Sequence, residues 1–202
     1  MALRLFAERG YDAVTINEIA ATAEVAKVTL FKYFPSKESL VLQGVAEDDL
    51  AQIVSSRPTG QSPLTALRTH YLAQEHGRDG IREGDDCLDQ DEGARKQQDQ
   101  AREALITRMR VIFDNPALSS AANELHYRQR QALAHVLAQD HDELTATLMA
   151  AQITASILTI QETFYRRLVA GASLAEAGGK LGSDVELAFN LLEHGLDQPE
   201  GR

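Results

Sequence analysis

Apolar residues along this chain recur at spacings of three and four and almost never at alternate positions, which predicts an all-α protein. Leu3, Phe6 and Ala7 predict a helix over residues 2–9, with Gly10 just beyond its end, where a left-handed conformation costs glycine little. Thr15 opens a second short helix, TINEIAATA, with Glu18 three residues on as the partner of a capping box. Ile16, Ile19 and Ala20 give it one apolar face. After a turn around residues 23–25, a third helix runs from Lys27 to Phe34 with Leu30 and Phe34 inward, and Pro35 ends it. Ser36 caps a fourth helix, with Ser39 at the third position and Glu38 in the first turn, running to about Ser55.

The cluster RPTGQSP, residues 57–63, is a break. A fifth helix starts at Pro63 and turns Leu64, Leu67, Tyr71 and Leu72 to one side. Residues 77–99 carry glycines and a dense acidic block, which predicts a loop or frayed helix. Helix resumes near Gln100, with Leu105, Ile106, Met109, Ile112 and Phe113 apolar. Asn115-Pro116 reads as an N-cap followed by proline at the first helical position, opening a helix to about Gln139. Asp142 caps a long helix to Val169, which Gly171 stops. A short turn of helix covers Leu174–Leu181, and Ser183 starts the last helix, Asp184 to His194, ended by Gly195. No internal repeat and no strand pattern is present.

Composition adds an oddity. The 202 residues carry a formal charge of -10. Residues 1–46 are nonetheless balanced, with Arg4, Arg9, Lys27, Lys32 and Lys37 against Glu8, Asp12, Glu18, Glu24 and Glu38. The whole deficit lies further along. An acidic total argues against coating a polyanion, while a small basic face remains compatible with it, because the local field steers binding. Two regions with different partners fit this asymmetry. Cys87 is the only cysteine, which excludes an intrachain disulfide and suits a reducing, cytoplasmic setting. The first residues lack a signal-peptide cleavage site, and no run of about 18 uninterrupted apolar residues predicts a membrane span.

The balanced N-terminal region carries the candidate chemistry. Two short helices joined by a tight turn, the second rich in Lys, Thr and aromatics, make a helix-turn-helix. In that motif the second helix enters the major groove by its N-terminal end. Lys27 then reaches for guanine O6 and N7, and Val28 or the Thr29 methyl for a thymine methyl. Lys32 and Tyr33, further along, suit phosphates. So do Lys37 and Thr15, each at the start of a helix. The competing reading is a solvated amphipathic helix with incidental lysines.

Residues 2–42 resemble the DNA-binding domain of the TetR family of transcriptional regulators. The likeness runs through ALRLFAERGYDAVTINEIA and AEVAKVTLFKYFPSKESLV, with landmarks at Phe6, Gly10, Tyr11, Thr15, Ile19-Ala20, Thr29-Leu30-Phe31, Tyr33-Phe34 and Ser36-Lys37-Glu38. A weaker similarity to actinobacterial-type members surrounds Asn115–Leu118. The resemblance implies a helix-turn-helix domain over residues 1–46. It also implies a larger helical domain over 47–202 that binds a small ligand and dimerises. It implies that Lys27, Val28, Thr29, Phe31, Lys32, Tyr33 and Lys37 fall where members contact DNA. Three positions depart from the pattern. The usual turn glycine is Glu24, the usual serine opening the recognition helix is Ala26, and the usual tyrosine before Lys32 is Phe31. The first helix is also short for the family, which predicts a native start upstream of Met1.

The same resemblance implies a homodimer on a palindromic double-stranded operator, built from the long helix (Ile153, Ile157, Ile160, Phe164) and the last one (Leu187, Leu191). Candidates to line a pocket for a small apolar or amphipathic effector are Tyr71, Met109, Phe113, His126, Gln152 and Gln161. The histidines, His76 among them, show no metal-ligand spacing, and no nucleophile elbow, phosphate loop or dinucleotide fingerprint appears. No metal, cofactor, enzymatic activity or membrane partner is expected. The function expected is that of a ligand-responsive transcriptional repressor. The rival is a helical ligand-binding or protein-interaction protein whose DNA face is vestigial.

Overall fold

The computed structural model describes residues 1–79 and 88–195. Among the described residues the regular elements are all helices: α1 (Ala2–Arg9), α2 (Ile16–Thr22), α3 (Lys27–Tyr33), α4 (Lys37–Leu42), α5 (Leu50–Ser55), α6 (Pro63–Asp79), α7 (Leu88–Asp114), α8 (Pro116–Leu137), α9 (Glu143–Val169), α10 (Leu174–Gly178) and α11 (Leu181–His194). They form two compact units, one of Met1–Glu47 with Gln100–Tyr127, the other of Asp48–Asp99 with Arg128–Arg202.

The first unit is built around Phe6, Tyr11, Val14, Ile19, Ala20, Leu30, Val41 and Leu42. Val111 and Ile112 of α7, and Leu118 and Ala122 of α8, belong to that same core. The N-terminal stretch therefore shares its interior with a segment from the middle of the chain. Polar contacts follow the same route. Arg108 donates to the Gln43 carbonyl at 3.0 Å, just past the end of α4. Asn115 donates to Asp12 at 3.1 Å while its own amide oxygen accepts from Leu118 N–H at 3.1 Å. The Asn115-Pro116 helix start is thus also a stitch to the turn after α1.

The second unit packs α11 on α6 and α9, α5 on α6, and α10 on α9. Its core holds Leu50, Val54, Leu67, Leu133, Leu137, Ala146, Ala150, Ile153, Ile157, Val185 and Phe189. Arg68 of α6 reaches Glu186, Asn190 and Glu193 on α11, and Arg167 of α9 forms a two-pronged pair with Asp184. By length and composition α9 is apolar enough to cross a membrane. Six of its residues are buried against the rest of this unit, as expected of a core helix.

Several elements differ from the sequence expectations. The fourth helix stops at Leu42, and α5 begins afresh at Leu50 with Asp49 accepting from Gln52 N–H at 2.9 Å. Gly44 (φ 84°) and Ala46 (φ 53°) turn left-handed between them, a break that apolar spacing does not announce. Within residues 77–99, the first three end α6 and 88–99 are the first turns of α7, while 80–87, with Cys87, lie outside the described residues. Gln, Ala, Arg and Lys favour helix intrinsically, so low hydrophobicity alone does not make a loop. The last helix starts at Leu181, because Ser183 donates back to the Lys180 carbonyl at 2.8 Å instead of capping forward.

Candidate nucleic-acid interface

α2 and α3 form the corner that the sequence predicts. Thr15 accepts from Glu18 N–H at 3.3 Å, and the Glu18 carboxylate accepts from the Thr15 N–H at 2.7 Å and its hydroxyl at 2.8 Å. Arg9 adds a contact to the same carboxylate at 2.8 Å. These hydrogen bonds from Thr15 and Arg9 pull the Glu18 carboxyl down to about 2. α2 then ends in a Schellman turn: Val25 N–H donates to the Ala20 carbonyl at 3.0 Å and Glu24 N–H to that of Ala21 at 3.2 Å. Glu24 occupies the left-handed position with φ 54°, where glycine is usual. Ala26 stands at the N-cap of α3 and offers no side-chain cap.

α3 buries Leu30 and rests Phe34, just past its end, on the core. Its other residues face outward. Val28 is 82% exposed and Tyr33 68% exposed, and Lys27, Thr29, Phe31 and Lys32 are also exposed. The Lys27 ammonium lies 5.7 Å from the Phe31 ring centroid, and that of Lys32 lies 5.9 Å from the Tyr33 ring. The rings thus flank the charges within cation–π range. Val25, exposed beside the start of α3, extends the apolar part of this face. Sequence spacing misses it because it sits in the turn, outside any helical period.

Two residues expected at phosphates have other partners. The Thr15 hydroxyl hydrogen goes to Glu18, whose carboxylate sits at the helix start where a phosphate was expected. Lys37 turns inward. Its ammonium donates to the carbonyls of Tyr11 at 2.9 Å and Val14 at 3.1 Å and lies 4.1 Å from the Tyr11 ring centroid. The Tyr11 ring in turn packs 5.1 Å from that of Phe6. Its buried hydroxyl lies beside Glu38, and burial together with that carboxylate raises its pKa. On α4, Ser36 and Ser39 form a reciprocal capping pair.

The residues expected to line an effector pocket divide between the units. Met109, Phe113 and His126 lie in the first. Met109 packs on the core, Phe113 is 63% exposed, and burial lowers the pKa of His126. Tyr71, Gln152 and Gln161 lie in the second. Tyr71 is partly buried, and that burial with the neighbouring Asp48 carboxylate raises its hydroxyl's pKa. Asp48 also contacts His70 Nε2 at 3.1 Å. Gln152 and Gln161 are exposed, which departs from an inward-facing role. The His76 side chain lies outside the described residues.

The expected interface residues divide too. Ile153 and Ile157 are buried within their own unit, so they are core side chains and not surface ones. Ile160 packs on that core, and Phe164 sets its ring edge-on to Tyr165. Leu187 is 62% exposed and Leu191 is also exposed, as are Leu144 and Leu148 of α9. A helix apolar over a wide arc does not reveal which part of that arc turns inward.

Residues 1–43 match the model of bacterial regulatory proteins of the tetR family, and residues 92–197 match that of the MftR C-terminal domain. The chain is 37% identical over 70 residues to an uncharacterized HTH-type transcriptional regulator, YuxN, of Bacillus subtilis, a match covering 33% of this chain and 24% of that protein. It is 26% identical over 203 residues to the putative mycofactocin biosynthesis transcriptional regulator MftR of Mycobacterium tuberculosis, covering 98% of this chain and 88% of that one. A solved structure of Thermus thermophilus FadR, a TetR family repressor in complex with lauroyl-CoA, aligns over 99% of this chain and 93% of that one, with 20% identity and a TM-score of 0.45. With its N-terminal helix-turn-helix and more than half its length matching these two models, the chain belongs to the TetR family of transcriptional regulators, with an MftR-type C-terminal domain.

Proposed function

We propose that this protein is a cytoplasmic, homodimeric transcriptional repressor. It reads an operator through α3 and is released when a small apolar or amphipathic effector binds its C-terminal helical region. The observation that carries the DNA-binding half is the outward face of α3. Val28 is 82% exposed at its N-terminal turn, and Lys27 and Lys32 stand over rings with no acidic side chain paired to them among the described residues. α3 carries two lysines and no carboxylate in a chain whose net charge is -10. In the groove, Lys27 reads guanine, while Val28 and the Thr29 methyl meet thymine methyls. Phe31 lends apolar support, and Lys32 and Tyr33 hold phosphate.

Dimerisation gives two such helices for half-sites about one DNA turn apart. The exposed Leu187 and Leu191 on α11 support an isologous contact, with Ile160 and Phe164 at its margin. Effector binding lowers operator affinity by favouring a conformation that fits DNA less well. Of the candidate effector residues, Tyr71 is partly enclosed within the second unit, and Met109 and His126 are partly enclosed within the first.

Fluorescence anisotropy with the DNA upstream of its own gene tests the DNA-binding half. Lys27→Ala should relax sequence preference, with about 1–3 kcal/mol of discrimination lost at one base pair. Lys32→Ala should weaken all DNA alike and flatten the salt dependence. Salt-insensitive binding, or none, would favour the reading of a helical ligand-binding protein with a vestigial DNA face. The left-handed Glu24 and the uncapped Ala26 are the features that favour that rival.

A further inference from the structure

The segment that carries both helices of the corner is packed on the core through Ile19, Ala20 and Leu30, and its two ends meet beside one another. The chain enters this segment through Tyr11–Val14, forms α2, the Schellman turn and α3, and ends it at Lys37 in the first turn of α4. The Lys37 ammonium joins the two ends. It bonds the carbonyls of Tyr11 and Val14, 26 and 23 residues earlier in sequence, and covers the face of the Tyr11 ring. No backbone N–H donates to either carbonyl among the described turn hydrogen bonds, so the lysine supplies their donor. Both of its anchors belong to buried residues. Glu38, the next residue, flanks the buried Tyr11 hydroxyl. The first turn of α4 therefore holds Tyr11 by its ring and its carbonyl together.

We infer that Lys37 is a positioning residue for DNA binding: it clasps the base of the α2–α3 segment and fixes the pose of the recognition helix, and it is not a phosphate contact. The inference rests on the DNA-binding reading above. Reaching a phosphate would strip two carbonyls of their donor and lift the cation off an aromatic face, so the inward pose is favoured over the outward one. Without the clasp, the segment is held by the packing of Ile19, Ala20 and Leu30 alone, its pose is less closely fixed, and affinity falls by the cost of fixing it on binding.

The test is a salt titration of operator binding by the full chain, run well below every variant's melting temperature. Wild type, Lys37→Met and Lys32→Met are compared, and their melting midpoints are measured alongside. Lys32→Met should lose about 0.9 from the slope of log K against log salt, as one released phosphate contact does, with its midpoint unchanged. Lys37→Met should keep the wild-type slope, melt lower, and bind on the order of tenfold more weakly at every salt, the equivalent of one charge-assisted hydrogen bond. A slope loss of about 0.9 with an unchanged midpoint would make Lys37 a phosphate ligand and overturn the inference. A lowered midpoint with unchanged affinity would leave the lysine a purely structural role and overturn it equally. If Lys37→Met does not fold, lysine ammonium NMR of the wild type decides. A ring-shifted Lys37 signal that stays put when DNA is added supports the clasp, and one that moves with the DNA titration sinks it. Absence of any salt-sensitive binding by the wild type would remove the DNA-binding reading itself, and this inference with it.

Discussion

Replacing Glu24 by glycine should stabilise the protein. Glu24 holds φ 54° at the end of α2, a conformation that a side chain with a Cβ resists by about 1–2 kcal/mol. Glycine removes that strain. It also loosens the unfolded chain, which takes back about 0.4–1 kcal/mol. The difference is a gain of roughly 0.5–1 kcal/mol. Nothing else offsets it, because Glu24 is exposed and its carboxylate enters no salt bridge among the described residues. For a chain of this length the gain corresponds to a rise in melting temperature of about 1–4 °C by circular dichroism. Glu24→Ala is the control. Alanine removes the charge while keeping the strained backbone, so it should show no comparable rise. If Glu24→Ala stabilises as much as Glu24→Gly, charge and not backbone geometry explains the effect, and the strain argument fails.

Ala26→Ser should restore the missing cap of α3 and add about 1 kcal/mol of stability, measurable in the same melts. Glu18 gives the helix-turn-helix a pH response that can be read at one side chain. Its folded pKa, about 2, lies below its ordinary 4.5, so its stabilising contribution is complete above pH 4.5 and is lost as pH falls through about 2. Side-chain carboxyl NMR should show that low midpoint, and a midpoint near 4.5 would show that the capping box is open in solution. Leu187→Glu should leave the monomer's stability within about 0.5 kcal/mol, as at most exposed sites, while shifting a dimer toward monomer in sedimentation equilibrium.

Local chemistry was legible in the sequence wherever a signal acts over a few residues. The capping box of Thr15 and Glu18, the serine pair of α4, the cap at Asp142 and the proline start of α8 all stand where their residue types predict. The departures at Glu24 and Ala26 were legible as well, and each has the backbone consequence that its chemistry implies. What failed to show was anything decided by a partner far away in sequence. Lys37 reads as a free cation until the carbonyls of Tyr11 and Val14 are beside it. Ile153 and Leu148 are equally apolar, and only packing makes one core and the other surface. The break after Leu42 depends on a left-handed alanine, which no propensity favours.

The inclusion of Val111, Ile112, Leu118 and Ala122 in the same interior as Phe6 and Leu30 means that the reading head cannot be excised as an N-terminal fragment. A peptide ending at residue 47 would present a bare apolar wall to water where α7 and α8 belong. A chimera that grafts this head onto another body must bring residues 100–127 with it.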